Sequence, residues 1–355
     1  MNAIKVHILY EYGSDMRPHA SSFVRLLRPL THPLLRDRVL VSHGLNYYEE
    51  DVDVVILDRL WRPDVRPDLA EKLLETIRRN NVKVVYCVDD NLLDLPEERA
   101  DWPKEHHLQV FRLFLTEADK VVVTTEALRE RLSSFNSNIM VMYNALDERL
   151  LLGGRLPPVQ PWIGNTKTVI GYMGTRTHDE DLKIVLPALR TLWERYPEQV
   201  RFEVLGVLAD TKSASMFSEI PVRFIGPPQP EAEYPLFMLW FTSRVKWDIA
   251  ISPLRDSPVT RCKSHIKYLD YAAIGSAGIY SVSPAYTGSV KHMETGWLAT
   301  NEHEAWLEAL ERLFIDKPLR ERLAYNAGHD LYGNHVLARR ADMWLQAFDR
   351  RSGLL

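Results

Sequence analysis

Short apolar, β-branched runs alternate along this chain with segments whose apolar residues recur at helical spacing. This alternation limits the possible folds, because strands that alternate with helices form a parallel sheet covered by helices. The first half has predicted strands at Ile4–Tyr10, Val39–Val41, Asp53–Leu57, Val82–Val88, Asp119–Thr124 and Ile139–Met142. The second half has them at Thr168–Met173, Val200–Val207, Val222–Gly226, Trp247–Pro253 and Gly278–Val282. The sequence therefore predicts two α/β domains in series, each with its own parallel sheet.

The segments between these runs are predicted helices. They are Ser21–Leu30, Leu69–Arg79, Leu108–Leu115, Ala127–Phe135, Asp179–Tyr196, Tyr234–Thr242, Lys263–Ile274, Glu304–Phe314, Leu319–Ala327 and Val336–Phe348. Pro187 lies inside one of them and is expected to kink or split it. A cluster of prolines and glycines between residues 153 and 164 interrupts the alternation. Such a cluster marks a domain border, with a long surface loop inside one domain as the alternative.

Composition excludes several classes of protein. The net charge of −4 disfavours a strongly basic nucleic-acid binder. Two cysteines, Cys87 and Cys262, cannot form a disulfide framework or a Cys-rich zinc site, which favours a reducing cytoplasm. The apolar run at the N-terminus is too short for a signal-peptide core, and no run is long enough to span a membrane. The chain has neither Gly-x-Gly-x-x-Gly nor a Walker A sequence, which disfavours Rossmann oxidoreductases and P-loop ATPases.

Ligands of open α/β sheets bind beyond the carboxyl ends of the strands. The first candidate is the turn Gly171–His178, where Gly174 and Thr175 lead into a helix and Arg176 offers a bidentate phosphate partner. An ordinary turn with an incidental Thr and Arg is the alternative. The pattern therefore predicts an anion site that needs support from a second segment.

That second segment runs from Ser252 to Tyr271. Ser264 is a candidate cap of the predicted helix, and Lys263, Lys267 and either Asp270 or Tyr271 fall on one helical stripe. Two lysines at a helix start suit a diphosphate, and a carboxylate two turns further suits a ribose diol. A solvated face with ordinary charge pairing is the alternative.

Asp89 and Asp90 form a third candidate, because two adjacent carboxylates end a buried strand. Close like charges raise the pKa of one carboxyl, which suits a base near an acceptor. Turn or capping chemistry is the competing interpretation.

Several runs resemble the C-terminal domain of GT-B glycosyltransferases: Val169–Thr175, Phe202–Gly206, Val222–Gly226 and Lys263–Gly275. The chain is most similar to the large retaining group often called family 4, whose bacterial members build surface polysaccharides. Further similar stretches, which extend the resemblance over nearly the whole chain, are Asp119–Leu128, Tyr143–Asp147 and Ser283–Gly296.

The resemblance implies an α/β GT-B fold, with two Rossmann-like domains whose parallel sheets face each other across a cleft. The expected division is an N-terminal acceptor domain, residues 1–150, a linker, residues 151–167, and a C-terminal donor domain, residues 168–333. The final helix, residues 334–355, is expected to cross back to the N-terminal domain.

The resemblance also assigns residues. The family's donor site has two glutamates with seven residues between them; the second, which holds the ribose, falls on Asp270, and Cys262 replaces the first. Asp256 or the loop backbone up to Lys263 is expected to replace the lost contact with the sugar. Arg176 and Lys263 or Lys267 match the cations near the diphosphate, and Asp89–Asp90 matches a His-Asp near the acceptor, without the histidine. The residues assigned to donor binding are Gly174, Thr175, Arg176, Asp256, Lys263, Ser264, Lys267 and Asp270, and those assigned to catalysis are Asp89, Asp90, Arg176 and Lys263.

We therefore expect a glycosyltransferase that moves a sugar from a nucleotide-diphosphate donor to a hydroxyl of a glycan or lipid-linked glycan. The resemblance implies bacterial polysaccharide or lipopolysaccharide synthesis and retention of anomeric configuration. We expect no metal, no cofactor and no nucleic-acid partner, and a cytoplasmic location with peripheral membrane association as an option. The alternatives are a GT-B nucleotide-sugar epimerase and a non-catalytic sugar- or nucleotide-binding protein.

Overall fold

The structure is a computed structural model that describes residues 3–48, 51–99, 101–152, 167–174, 179–206 and 216–349. By its internal contacts the chain divides into two compact units. Unit 1 comprises Met1–Asp147, Arg261–Ser264 and Val336–Leu355, and unit 2 comprises Glu148–Thr260 and His265–His335. The assigned linker falls mostly on residues 153–166, which lie outside the described residues.

Unit 1 contains, in its described residues, one parallel sheet of six strands. The strands are β1 Ile4–Leu9, β2 Val39–Gly44, β3 Val54–Asp58, β4 Lys83–Val88, β5 Lys120–Val123 and β6 Ile139–Val141. Their order is β2-β1-β3-β4-β5-β6. β3 is buried along its whole length, and its residues are apolar up to the final Asp58. This is expected for a parallel strand that is covered on both faces.

Helices cover both faces of this sheet. The helices before the linker are α1, residues 20–30, α2 Pro67–Arg79, α3 Glu105–Glu117 and α4 Glu126–Leu132. Val55 and Leu57 pack with α2 and α3, whereas the alternate residues Val54 and Ile56 pack with α1. The middle of α1, Phe23–Leu27, is a π-helical turn.

Unit 2 contains a second parallel sheet, also of six strands within its described residues. The strands are β7 Thr168–Met173, β8 Val200–Leu205, β9 Val222–Ile225, β10 Ile249–Ser252, β11 Ala277–Ser281 and β12 Trp297–Ala299. Their order is β12-β11-β10-β7-β8-β9. The helices are α5 Asp179–Leu182, α6 Leu186–Arg195, α7 Leu236–Arg244, α8 Pro258–Arg261, α9 Ile266–Ala273, α10 Pro284–Thr287, α11 His303–Ile315 and α12 Lys317–Asn334. Trp306 of α11 lies fully buried in the core formed by β7, β8, β10, β11 and β12.

The chain closes on unit 1 with two short helices, α13 Leu337–Arg340 and α14 Trp344–Phe348. Trp344 and Phe348 pack into the core on the α1 face of the first sheet. Short 3₁₀ turns occur at Pro33–Leu35, Leu95–Glu97, Glu148–Leu150 and Ala341–Met343. None of the helices that the structure describes combines the length and the apolar character needed to cross a bilayer.

The split expected at Pro187 is observed: the segment Asp179–Tyr196 forms α5 and α6, and Pro187 lies in the first turn of α6, where a missing N–H costs nothing. Two other predicted helices differ from the observed ones. The segment Val336–Phe348 is broken by a 3₁₀ turn. The helix predicted from Lys263 begins instead at Ile266, so the predicted start is wrong and Lys263 does not share a helical stripe with Lys267 and Asp270.

Candidate functional site

The strand order of unit 2 reverses between β7 and β10, because β8 and β9 lie on one side of β7 and β10 to β12 on the other. In open α/β sheets the crevice beyond such a switch point is where ligands bind. The chain leaves β7 at Gly174 and β10 at Pro253. The two donor-site segments predicted from the sequence therefore start at this switch point.

Gly174 is fixed closely against the sheet. Its N–H donates to the Leu205 carbonyl at 3.0 Å. A Cβ at this position would lie 2.6 Å from the Tyr172 hydroxyl, so no larger residue fits without displacing Tyr172. Thr175 and Arg176, the other candidates in this turn, lie outside the described residues.

Helix α9 is tied to the switch point by Tyr271. The Tyr271 hydroxyl donates to the Ile251 carbonyl of β10 at 2.9 Å and accepts from the Met173 N–H of β7 at 3.3 Å. Lys267, one turn earlier, donates its ammonium to the Met173 carbonyl and lies 5.8 Å from the centroid of the Tyr172 ring. The helix therefore holds a cation at the carboxyl end of β7.

Asp270 lies on the same helix and is 8% exposed. Its carboxylate accepts no hydrogen bond from any residue that the structure describes. Burial raises the pKa of Asp270 to about 7, against the opposing charge of Lys267. A carboxylate that is nearly buried and lacks protein donors is suited to accept hydrogen bonds from a ligand.

Asp256 is exposed in the loop that follows β10. The neighbouring Arg255 N–H donates to the buried Asp181 carboxylate at 3.0 Å, and the two side chains approach to 3.8 Å. The loop is thus anchored one residue before Asp256.

Lys263 and Ser264 precede α9 and do not lie on it, contrary to the prediction. Both belong to unit 1, where the Lys263 ammonium donates to the Asp90 carboxylate at 2.6 Å. Ser264 accepts a hydrogen bond from Asn144 at 2.9 Å and does not cap α9, whose N-cap position is His265. The prediction that Ser264 caps this helix is therefore wrong.

Asp89 and Asp90 follow β4 and share one cation. The Arg59 guanidinium lies 3.5 Å from Asp89 and 3.4 Å from Asp90. Burial raises the pKa of Asp89, opposed by Arg59 and reinforced by Asp90. The attraction of Asp90 outweighs burial and raises the pKa of Lys263, so this ammonium stays charged.

Three further members of this cluster were missed by the sequence analysis. Glu11 follows β1, Asp58 ends β3, and Arg59 follows it with a positive φ of 46°. Arg59 pairs with Glu11 at 2.7 Å. Burial and the charge of Glu11 raise the pKa of Asp58 to about 6, although the Ser22 hydroxyl donates to it at 2.5 Å. Glu11, Asp58 and Arg59 lie at the carboxyl ends of strands, as Asp89 and Asp90 do. The same sequence rule could therefore have identified them.

The carboxylate cluster of unit 1 is thus Glu11, Asp58, Asp89 and Asp90, neutralised by Arg59 and Lys263. Among the described residues, no three His, Cys, Asp or Glu side chains are placed to hold a metal ion. The two units each carry charged side chains at the carboxyl ends of a parallel sheet, an arrangement typical of enzymes with an open α/β fold.

No protein-family model and no curated protein matches the sequence. Solved structures do share the fold. HepE from Anabaena, solved with UDP and glucose, aligns with a TM-score of 0.68 at 14% identity over 97% of this chain and 99% of its own. A glycosyltransferase from Rickettsia africae gives 0.64 at 11% identity, covering 98% of both chains. Sucrose-phosphate synthase from Thermosynechococcus elongatus gives 0.61 at 14% identity, covering 84% of this chain and 73% of its own.

These similarities over nearly full length, together with the two parallel sheets, show that the chain has the GT-B fold of glycosyltransferases. The predicted fold class is confirmed. At such low identity the comparison concerns the fold, and the assigned site residues stay predictions.

Proposed function

We propose that this protein is a glycosyltransferase that transfers a sugar from a nucleotide-diphosphate sugar to a hydroxyl of an acceptor. The observation that carries the proposal is the switch point of unit 2, where Lys267 stands at the end of β7 and Asp270 offers a buried carboxylate that accepts no hydrogen bond from the described residues. The lysine suits a diphosphate, and the carboxylate suits a ribose diol. HepE, which shares the fold, was solved with UDP-glucose, so UDP-sugars are the first donors to examine.

The leaving nucleoside diphosphate gains negative charge as its bond to the sugar breaks. Fixed cations and dipoles that meet this charge accelerate the reaction. On unit 2 we assign this role to Lys267, with Gly174, Thr175 and Arg176 as the turn that receives the phosphates and Asp256 near the sugar. On unit 1 we assign the acceptor to the carboxylate cluster, including Asp89 and Asp90.

The narrower parts of the proposal rest on the family resemblance. They are a hexosyl donor, an acceptor in bacterial polysaccharide or lipopolysaccharide synthesis, no requirement for metal, and a cytoplasmic location with peripheral membrane association. The resemblance also implies retention, by same-face attack without an enzyme nucleophile.

The testing experiment is a thermal-shift screen with UDP, GDP, dTDP and ADP, followed by turnover with the matching nucleotide sugars and p-nitrophenyl glycosides as acceptors. A nucleotide that binds the folded state raises the free energy of unfolding by about 2.7 kcal/mol at a hundredfold excess over its Kd. Release of nucleoside diphosphate that depends on the acceptor supports a transferase. Isomerised donor without release supports an epimerase, and binding without turnover supports a binding protein; either result contradicts the proposal.

A further inference from the structure

Tyr48 lies in the loop after β2 and is 77% exposed, more than any other large apolar side chain within the described ranges. Its neighbour Tyr47 is 8% exposed and packs into the core of unit 1. The loop is therefore anchored by one tyrosine and presents the next one to solvent. A single exposed ring needs no explanation by itself, but the surroundings of Tyr48 hold its ring in a fixed place.

Hydrogen bonds that begin in the sheet position the Tyr48 ring. The Asn46 side chain donates to the Tyr48 hydroxyl at 3.0 Å. The Asn46 carbonyl lies 3.1 Å from Nε2 of His7, a residue of β1 that is 4% exposed. Because a carbonyl only accepts, His7 Nε2 donates, and Nδ1 of the neutral ring then accepts from the Ser42 hydroxyl at 2.8 Å. A buried histidine thus fixes the loop, and the loop fixes the tyrosine.

The same loop is joined to the carboxylate cluster of unit 1. Trp61 Nε1 donates to the Leu45 carbonyl at 2.7 Å, and the preceding Leu60 N–H donates to Glu11 Oε1 at 3.4 Å. Tyr48 and the carboxylates therefore belong to one connected edge of the first sheet. Such an edge suits a carbohydrate, because the C–H face of a sugar ring packs on an aromatic ring and its hydroxyls donate to carboxylates.

The strand order sets the distance between the exposed ring and the aspartates. Tyr48 follows β2 and Asp89 and Asp90 follow β4, and the order β2-β1-β3-β4 puts three strand spacings between these two ends. At about 4.8 Å for each spacing, the two strand ends are about 14 Å apart. One sugar ring is too short to reach both, whereas a chain of linked sugars spans this distance.

We propose that Tyr48 forms a remote acceptor subsite, on which a sugar ring of an oligosaccharide stacks while another ring of the same chain presents its hydroxyl near Asp89 and Asp90. The inference rests on the proposed function and deepens it, since it makes the acceptor an oligosaccharide. Transfer then depends on acceptor length. An acceptor with one sugar fills only the end near the aspartates and gains nothing from Tyr48.

This subsite has a distinct kinetic signature. The stacked ring lies away from the reacting bond, so its contact is equally strong in the bound substrate and in the transition state. Loss of such a contact raises the KM of the acceptor and leaves kcat unchanged. An aromatic contact of this kind accounts for about tenfold in binding.

The experiment compares Tyr48→Ala and Tyr48→Phe with the control Tyr325→Ala, which removes a half-exposed tyrosine from α12 of unit 2. The donor is UDP-glucose, or the sugar of whichever nucleotide binds. The acceptors are two pairs that differ in length, methyl β-glucopyranoside with cellotriose and methyl α-glucopyranoside with maltotriose. Methyl glycosides are used because a p-nitrophenyl ring would itself stack on tyrosine.

Tyr48→Ala should raise the KM of the trisaccharide about tenfold. The KM of the matched methyl glycoside, kcat, the Kd of the nucleotide and the melting temperature should stay unchanged. Tyr48→Phe keeps the ring and should stay close to the wild type, as should the control. An equal rise for both acceptors, or no rise for either, overturns the remote subsite and leaves the transferase intact.

Saturation-transfer NMR with the trisaccharides and no donor tests the subsite without turnover. The wild type should transfer saturation to trisaccharide protons, and Tyr48→Ala should bind the trisaccharide about tenfold more weakly. If this difference is observed while the wild type transfers no sugar, the proposed function fails and the oligosaccharide subsite stands. If the trisaccharides neither bind nor accept a sugar, the subsite fails as well.

Discussion

At the residue scale, the donor-site proposal depends most on Asp270. Its carboxylate is nearly buried on α9, three residues after Lys267 and so on the same side of the helix, and no described residue gives it a hydrogen bond. Asp270→Ala should therefore weaken nucleoside diphosphate binding by about 1.5–3 kcal/mol, the range for hydrogen bonds to charged groups. Calorimetric titration with UDP measures the change, which corresponds to about 10–150-fold in Kd.

The matched control is Glu308→Ala, which removes an exposed carboxylate from α11 of the same unit. It should bind the nucleotide as the wild type does. An unchanged Kd in folded Asp270→Ala would remove Asp270 from the site.

The ionisation of Asp270 predicts a pH dependence. Its pKa is raised to about 7 in the folded protein, from about 3.9 in an unfolded chain. Proton binding to Asp270 therefore stabilises the folded protein fully at a pH below the pKa of the unfolded chain. This stabilisation is lost as the pH rises through about 7. If the ribose hydroxyls donate to the ionised form, nucleotide affinity should increase over the same window. Titrations near pH 6 in two buffers of different ionisation enthalpy should show proton release on binding, absent in Asp270→Asn.

At the scale of single elements, β7 illustrates how closely the second sheet is packed. A Cβ at Gly171 would lie 1.8 Å from the buried Trp247 ring, whose Nε1 donates to Glu203 at 3.1 Å. Gly171→Ala should lower the free energy of unfolding by about 1–3 kcal/mol or more, as overpacking does. Gly288→Ala, where a Cβ meets nothing within 4 Å, is the control for urea denaturation. Equal stability of the two variants would contradict this packing.

The segment 261–264 is the second element with a testable consequence. Cys262 is 5% exposed in the core of unit 1, and its carbonyl accepts from Thr125 at 3.0 Å. Burial raises the pKa of its thiol to about 11, so the side chain is an uncharged core residue. We therefore expect it not to make the sugar contact that the resemblance assigns to a glutamate at this position.

Restoring that glutamate should therefore harm the fold. Cys262→Glu places a carboxylate in an apolar core, and the nearby Arg131 is already held by Asp94 at 2.8 and 2.5 Å. The free energy of unfolding should fall by about 3–5 kcal/mol, the cost of an uncompensated buried charge. Cys262→Ala should cost about 1 kcal/mol. Thermal denaturation compares them, and a stable glutamate variant with better sugar transfer would show that this position faces the ligand.

At the scale of the whole molecule, the two units are expected to divide the work. Asp90 lies in unit 1 and Asp270 in unit 2. Asp90→Asn should lower transfer by about 10–150-fold, as the loss of a charged hydrogen bond does, and leave the Kd of UDP unchanged. Asp270→Ala should instead act mainly on binding and raise the Kd of UDP. Parallel losses of binding and transfer in Asp90→Asn would contradict this division.

Much of the fold could be predicted from local patterns. The strand Asp53–Leu57 is a continuous apolar run and was observed at Val54–Asp58, and the break at Pro187 was observed before α6. Prediction failed at Lys263, where a cap candidate and helical spacing indicated a helix start. The side chain instead pairs with Asp90, 173 residues earlier in the chain. A contact over that separation leaves no local signal.

Local sequence patterns were sufficient to predict the two parallel sheets and the strand ends at which charged residues collect, because hydrophobic periodicity and helix-breaking residues act within a few positions of the chain. Which of those residues contact each other depends on how the strands are arranged in space. Glu11, Asp58, Arg59 and the Asp89–Asp90 pair come from three separate strand ends and form one cluster because β1, β3 and β4 are neighbours. The lowered pKa of Glu11 likewise depends on Arg59, 48 residues later in the chain, whose charge opposes the effect of burial. Ionisation follows from burial and distance, and both exist only once the chain has folded.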